Sequence, residues 1–395
     1  MRDFIVKQGK KLKIGYTTGS CATAAAKAAA KAIFTGSFVQ TINLEVPAGI
    51  TFDIGILEGK LEGELEVTKA TCAVRKYSGD DPDVTDGMLI YATVEKLRIE
   101  KCKIEQNQGF HTNLVIIDGG EGIGKVTKRG LSCEVGTAAI NQVPRKMIEH
   151  AVLEEMDLAG YKGGLSVMIW APEGEKIAKK TFNERLGILG GISILGTSGV
   201  VEPMSESALI ETIKIEMNQQ DRNKILLASP GNYGIDFARE FLNLDMNQAV
   251  KYSNYLGEFL DHAVYCGFKK VLVVGHIGKM IKLAAGTTNT HSKVTDGRHE
   301  IMIAHSAMCG VKLDYLKELE DTVSVDDMHE IISRTGLERE IYKRIQEKIA
   351  FHVAYRVKQE MQIEFIGFSN RYGILIESPE ARRFIEQIKH QEDVH

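Results

Sequence analysis

The sequence carries no excess of charge of either sign. Lysine and arginine number 49 against 53 aspartate and glutamate, a net charge of −4, and both signs are mixed along the chain. That excludes the global positive field on which DNA or RNA binding draws. Paired cysteine motifs are absent too. Cys21, Cys72, Cys102, Cys133, Cys266 and Cys309 stand far apart, with no CxxC to suggest a zinc or thiol-redox site. They read as reduced thiols of a reducing, cytoplasmic compartment. No continuous apolar stretch follows Arg2, Lys7, Lys10, Lys11 and Lys13, so neither a signal peptide nor an anchor is expected. The longest uncharged apolar stretch, Leu186 to Val201, is 16 residues broken by five glycines, too short and too flexible to span a bilayer. Internal repeats and low-complexity tails are also missing.

What is present is length and pattern. At 395 residues the chain exceeds the size at which single hydrophobic cores stop growing, which predicts two domains. An alanine-dense run from Cys21 to Phe34, stopped by Gly36, predicts a helix. Strands follow: Ile42, Leu44 and Val46 alternate, Pro47-Ala48-Gly49 turns, and extended runs come at Glu64–Val74, Met88–Leu97 and Leu114–Ile117. A helix from Gln142 to about Met156 and a strand at Leu165–Trp170 complete a mainly-sheet α+β domain, residues 1–186, and the glycine-rich segment from Gly187 marks the expected boundary. Beyond it, residues 187–395 alternate. Helix at Ser205–Met217, strand at Lys224–Ala228, helices at Ile235–Leu242 and Tyr252–Cys266, strand at Val271–Val274 and helix at Lys279–Ala285 predict a Rossmann-like α/β domain. Its sheet should be parallel, with ligands at the carboxyl ends of the strands. A long amphipathic helix, Leu337 to Met361, and a short strand near Ile374 close the pattern.

Four polar loops are candidates for chemistry. Thr17-Thr18-Gly19-Ser20 opens the alanine helix, where free N–H groups, hydroxyls and the positive dipole end suit an anion. Plain capping by Thr18 or Ser20 explains the same residues. Asp118-Gly119-Gly120-Glu121-Gly122-Ile123-Gly124-Lys125, with Lys128 and Arg129 behind, could approach a ligand by its backbone and meet carboxylates with its cations. A strand-to-strand turn explains it as well, and its glycines do not fall as GxGxxG. Ser229-Pro230-Gly231-Asn232-Tyr233-Gly234 and Gly275-His276-Ile277-Gly278-Lys279 each follow a predicted strand and open a helix, as the crevice of a doubly wound sheet requires. The second is not a phosphate loop, since Met280 stands where Ser or Thr should hold magnesium.

Two clusters invite a metal reading. His291, Asp296, His299, Glu300 and His305 crowd a short span, yet their spacing matches no metal site, and a polar substrate loop is the better reading. Asp80-Asp81-Pro82-Asp83, beside Arg75 and Lys76, could bind a divalent ion or form a solvated turn.

Taken together, four segments resemble the CbiD family, the cobalt-precorrin-5B C1-methyltransferases of anaerobic cobalamin biosynthesis. They are Gly15 to Ala22 (GYTTGSCA), Gly79 to Thr85 (GDDPDVT), Ile188 to Gly199 (ILGGISILGTSG) and Gly286 to Ser292 (GTTNTHS), inside a similarity running from about residue 10 to about residue 375. Ser20 stands where many relatives carry threonine and keeps the hydroxyl. The resemblance implies methyl transfer from S-adenosylmethionine to C1 of cobalt-precorrin-5B, giving cobalt-precorrin-6A and S-adenosylhomocysteine. It implies cobalt only as part of the substrate, and no metal site of the protein's own. It does not identify catalytic residues. The loops above then divide: Gly231, Asn232, Gly234, Gly275, His276 and Gly278 are expected to hold S-adenosylmethionine. Thr17, Thr18, Ser20, Asp118, Lys125 and Lys293 are expected to face the tetrapyrrole, whose many carboxylates suit scattered loop cations and helix N-termini. The other readings are a methyltransferase for a different cobalt-tetrapyrrole and a carrier without catalysis. Neither nucleic acid nor membrane is an expected partner; a homo-oligomer is compatible with the sequence.

Overall fold

The computed structural model describes residues 4–392 except 8, 65, 98–114 and 185. Cys102 and the expected strand start at Leu114 lie outside the described residues. The chain forms two compact units that divide at Glu206 and Ser207. Among the described residues, no helix is long and apolar enough to cross a membrane.

The first unit opens with a hairpin, β1 (Phe4–Lys7) and β2 (Lys10–Lys13), then β3 (Gly15–Tyr16) and α1 (Thr18–Thr35). A six-stranded sheet follows, built from β4 (Thr41–Glu45), β5 (Thr51–Glu62), β6 (Lys69–Arg75), β7 (Leu89–Lys96), β8 (Val115–Gly119) and β10 (Leu165–Trp170). Its order is β4-β5-β6-β7-β10-β8, antiparallel except for the parallel pair β10 and β8. Helix α1 lies against β6 and β7 with α2 (Gln142–Leu158) beside it. All the alanines of α1 are buried, because a helix with nothing beyond Cβ can be covered on several sides. It ends where Gly36 takes a left-handed φ of 69° and donates its N–H to Ala32 O. Short pieces complete the unit: β9 (Lys125–Val126), α3 (Gly174–Ala178), β11 (Ile188–Leu189) and β12 (Val200–Val201).

The glycine-rich stretch is not a linker, which moves the division past the expected 186/187. Its β11 pairs with β9, and its β12 pairs with β3. Ile192 and Ile194 bridge to Ile123 and Ile140, and both are buried. The glycines are there because backbone runs on backbone: a Cβ on Gly191 would lie 2.2 Å from Gly122 O. Composition alone cannot separate such an interior strand from a loop.

The second unit holds β13 (Leu226–Ser229), β14 (Val250–Lys251), β15 (Lys270–His276), β16 (Gln362–Ser369) and β17 (Gly373–Glu377) in the order β14-β13-β15-β16-β17. The first four are parallel and β17 is antiparallel. Residues 226–229 and 271–275 are buried, as strands covered on both faces should be. The helices are α4 (Glu206–Asn218), α5 (Asn232–Leu242), α6 (Leu256–Cys266), α7 (Ile277–Met280), α8 (Arg298–Met308), α9 (Leu313–Glu320), α10 (Val325–Ser333), α11 (Glu338–Arg356) and α12 (Ala381–Glu392).

Several expectations change here. The predicted helix at Lys279–Ala285 is the single turn of α7 followed by a 3₁₀ turn, Ile281–Ala285. Helix α11 stops at Arg356, and Lys358 and Gln359 turn with φ of 49° and 59° before β16 begins. The sequence pattern passed over β16 because a short apolar run after a helix reads equally well as more helix. β5 and α8 to α10 were likewise not anticipated.

Candidate functional site

Three of the four resembling segments meet at the start of α1. Tyr16 N donates to Tyr77 O at 2.9 Å, and Asp80 N donates to Lys13 O at 3.0 Å. A Cβ on Gly15 would lie 2.3 Å from Tyr77 O, and one on Gly196 2.3 Å from Thr17 Oγ1, so glycine permits both approaches. The hydroxyls turn inward. Thr17 Oγ1 caps the helix by accepting from Ser20 N at 3.2 Å. Thr18 Oγ1 accepts from Leu195 N at 2.9 Å and donates toward Ser193 O at 3.2 Å. Ser20 Oγ donates to Gly199 O at 2.7 Å.

Thr17, Thr18 and Ser20 are 6, 5 and 0 % exposed, so the expected substrate grip at these residues is corrected to an internal clamp on residues 193–199. The cause is general: a helix start buried in protein must satisfy its N–H groups with protein acceptors, and Thr17 N and Gly19 N use Gly199 O and Leu195 O. Thr18→Ala leaves Leu195 N–H without its acceptor. The expected result is a loss of about 1–3 kcal/mol in a urea melt, with methyl-transfer kinetics unaltered while the protein is folded. A KM shift in a variant of unchanged stability would return Thr18 to the substrate.

The carboxylates of the Gly79–Thr85 segment also have protein partners. Asp80 Oδ2 accepts from Lys13 N at 2.6 Å, and Asp81 Oδ1 from Met204 N at 3.1 Å. Asp83 Oδ2 accepts from the buried Lys76 Nζ at 2.6 Å, while Asp83 Oδ1 takes the N–H and hydroxyl of Thr85. Burial pushes the Asp83 pKa up, but the Lys76 charge and these hydrogen bonds outweigh it and hold the carboxyl below its usual range. These contacts favour a structural turn over a divalent-ion site. The Cys21 thiol nearby is pushed by burial up to about 12 and stays protonated.

Asp118 and Lys125 are exposed, as are Lys128 and Arg129. Asp118 Oδ1 accepts from Gly119 N at 2.8 Å, and Lys125 lies opposite Leu189 across the β9–β11 pair. The glycines between them are packed rather than open: a Cβ on Gly124 would lie 2.4 Å from Ile188 Cγ2. Lys293, also exposed, belongs to the second unit.

In the second unit the expected crevice residues gather at the carboxyl ends of adjacent parallel strands. The Ser229–Gly234 turn leaves β13 and the His276–Lys279 turn leaves β15. The glycines divide into two kinds. A Cβ on Gly234 would lie 2.2 Å from Ser229 Oγ and 2.4 Å from Val274 O, and one on Gly275 2.9 Å from Met280 Sδ. Those two are required by packing. A Cβ on Gly231 meets nothing within 4 Å, and one on Gly278 comes no nearer than 3.3 Å to His276 Nδ1. Gly231 faces room, whereas a Cβ on Gly278 would press on the His276 ring. Asn232 Oδ1 accepts from Lys251 Nζ at 2.8 Å, tying the β13 turn to β14. His276 Nδ1 accepts from Gly278 N at 3.2 Å, so the neutral ring carries its proton on Nε2. Burial lowers the His276 pKa against an opposing effect of Asp326, which favours the neutral form.

The Gly286–Ser292 segment docks at the same end of the sheet. Thr290 N donates to Asn254 O at 3.0 Å, just beyond β14, and Gly257 N donates to Thr288 O at 3.2 Å. In the histidine-rich stretch that follows, several polar atoms have protein partners, whereas the buried His305 Nδ1 has none among the described residues. His291 Nδ1 accepts from Lys293 N, His299 Nε2 lies 2.7 Å from Thr322 O, and Asp296 holds Arg298. Among the described residues, no three His, Cys, Asp or Glu side chains gather as a metal ion would need. Sequence reasoning missed the turn Tyr252–Asn254, which it placed inside a helix. The polar pair Ser253-Asn254, two residues beyond the apolar Ala249-Val250, was the available signal, and Ser253 takes a φ of 56° there.

The family pattern CbiD matches residues 5–203, and CbiD, C-terminal domain, matches residues 289–379. A protein of Ruminiclostridium cellulolyticum named cobalt-precorrin-5B C(1)-methyltransferase is 48% identical over 94% of this chain and 92% of its own length. One of the same name from Alkaliphilus metalliredigens is 38% identical over 98% of each chain. A solved structure of a cobalamin biosynthesis protein (cbiD) from Archaeoglobus fulgidus is 27% identical, covering 74% of this chain and 86% of that one, with a TM-score of 0.39. With relatives this similar along nearly its whole length, the chain belongs to the CbiD family.

Proposed function

We propose that this protein transfers a methyl group from S-adenosylmethionine to C1 of cobalt-precorrin-5B, giving cobalt-precorrin-6A and S-adenosylhomocysteine in cobalamin biosynthesis. The relatives of that name, aligned over 94% and 98% of the chain, support the reaction. The donor belongs in the second unit, read as a Rossmann-like domain. The observation supporting that placement is the pair of turns at the ends of β13 and β15, with room beside Gly231. Asn232 and His276 would border the donor. The sulfonium supplies the methyl group, which the electron-rich ring carbon takes by in-line displacement. The protein's part is to position both molecules and exclude water, with effective molarity contributing up to roughly 7–11 kcal/mol in favourable systems. With Thr17, Thr18 and Ser20 occupied internally, the exposed cations Lys125, Lys128 and Arg129 beside Asp118 are the first unit's candidates for the macrocycle carboxylates, and Lys293 is the second unit's own candidate. The unpaired thiols Cys21, Cys72, Cys133, Cys266 and Cys309 support a cytoplasmic setting.

The test is calorimetry with S-adenosylhomocysteine. Gly231 is extended, with φ of 170°, and has open space at its Cβ, so Gly231→Val should fold normally. It should nevertheless bind S-adenosylhomocysteine at least tenfold more weakly, about 1.4 kcal/mol. Gly278→Val should weaken binding as well. Unchanged affinity in both folded variants removes the donor from this crevice, and no affinity in the wild type returns the carrier reading.

A further inference from the structure

The side chain of Lys279 crosses the crevice. Lys279 follows β15, yet its Nζ lies 3.4 Å from Ser253 O in the turn after β14. Strand β13 stands between those two strands, so this contact links the turns on either side of the carboxyl end of β13. That is where the Ser229–Asn232 turn lies and where Gly231 leaves open space.

Among the described residues the half-buried Lys279 ammonium has Ser253 O, at 3.4 Å, as its acceptor. An ammonium has three donors, and 3.4 Å is at the outer limit of a hydrogen bond. Its neighbours are better provided. Lys251 Nζ holds Asn232 Oδ1 at 2.8 Å. Lys282 Nζ holds Thr290 O at 3.2 Å and Thr295 O at 2.9 Å, and lies 3.8 Å from Asp296. Residues 279–298 contain three lysines and Arg298 against Asp296 as the one acidic residue, and Asp296 is already gripped by Arg298. Burial and the Lys282 charge both lower the Lys279 pKa, the condition an incoming anion relieves.

We infer that Lys279 is the carboxylate-binding residue of this crevice, its ammonium donating to a carboxylate of the bound molecule. The inference rests on the donor placement proposed above. Two sources share this chemistry: the amino-acid end of S-adenosylmethionine, and an acetate or propionate arm of the macrocycle.

The test uses the full chain with Lys279→Gln, and with Lys279→Met, which keeps the apolar stem, alongside wild type and Lys279→Arg. Each variant's melt is recorded first. S-adenosylhomocysteine and 5′-methylthioadenosine, which lacks the amino-acid end, are titrated, and turnover is followed with cobalt-precorrin-5B varied. If the carboxylate is the donor's, the neutral variants lose at least tenfold in S-adenosylhomocysteine affinity and none for methylthioadenosine. If it is the macrocycle's, nucleoside binding is unchanged and KM for cobalt-precorrin-5B rises at least tenfold. In either case Lys279→Arg recovers part of the loss. Affinities and KM within twofold of wild type in a folded neutral variant overturn the inference, as does equal weakening of both nucleosides. Failure of the donor placement itself is seen separately, as unchanged binding in Gly231→Val.

Discussion

Asp83→Ala is expected to lower the stability of the first unit by about 3–5 kcal/mol, the range for leaving one member of a buried ion pair unpaired. Lys76 is 3 % exposed, and among the described residues its ammonium holds Asp83 Oδ2 and Ser78 Oγ. Asp83→Asn keeps an acceptor for Lys76 and for Thr85, and should lose less. The acid dependence has a definite sign. The folded Asp83 pKa is held below its unfolded value of about 3.9, so its contribution is complete above that value and disappears as the pH falls through the folded pKa. The gap between wild type and Asp83→Ala in urea melts should therefore be widest near neutrality and narrow below about pH 4. A gap that is constant with pH would mean that the loss comes from packing rather than from the charge pair.

Gly122→Ala should be at least as damaging, for a steric reason. Gly122 has a φ of +72°, and its Cβ would sit 1.8 Å from Ala171 O, an overlap only backbone movement can relieve. Gly136 has a φ of +90° and nothing within 4 Å of a Cβ. Gly136→Ala thus isolates the left-handed penalty, about 1–2 kcal/mol, while Gly122→Ala adds the collision and should exceed 4 kcal/mol or abolish soluble expression. Equal losses in the two variants would show that the loop yields, reopening it as a ligand-facing turn.

The contrast explains what was legible from residues alone. Alanine density and Gly36 define α1 because both act locally. The buried runs of β13 and β15 and the polar turns after them are likewise local signals. The partner of Thr18 is not local: Ser193 and Leu195 lie 175 and 177 residues away, and no periodicity says which distant chain a hydroxyl will meet. Glycines hide their reasons in the same way. Gly231 and Gly234 look alike as letters, yet one faces room and the other faces Ser229 and Val274. β14 spans two residues, too few for any pattern, so the turn that receives Lys279 was read as helix.

The clamp between the start of α1 and residues 193–199 bears on how the protein is made. A ribosome releases the chain from its amino end at about 5–20 residues per second. Helix α1 thus emerges long before Leu195, Gly199 and β12 exist to satisfy Thr18, Ser20 and β3. Through that interval the amino-terminal N–H groups and hydroxyls of α1 lack these partners and have water or a chaperone instead. The first unit can lock only when nearly all of it has been synthesised. Any premature stop ahead of Ile192 yields a chain whose oldest helix is left unclamped at its amino end.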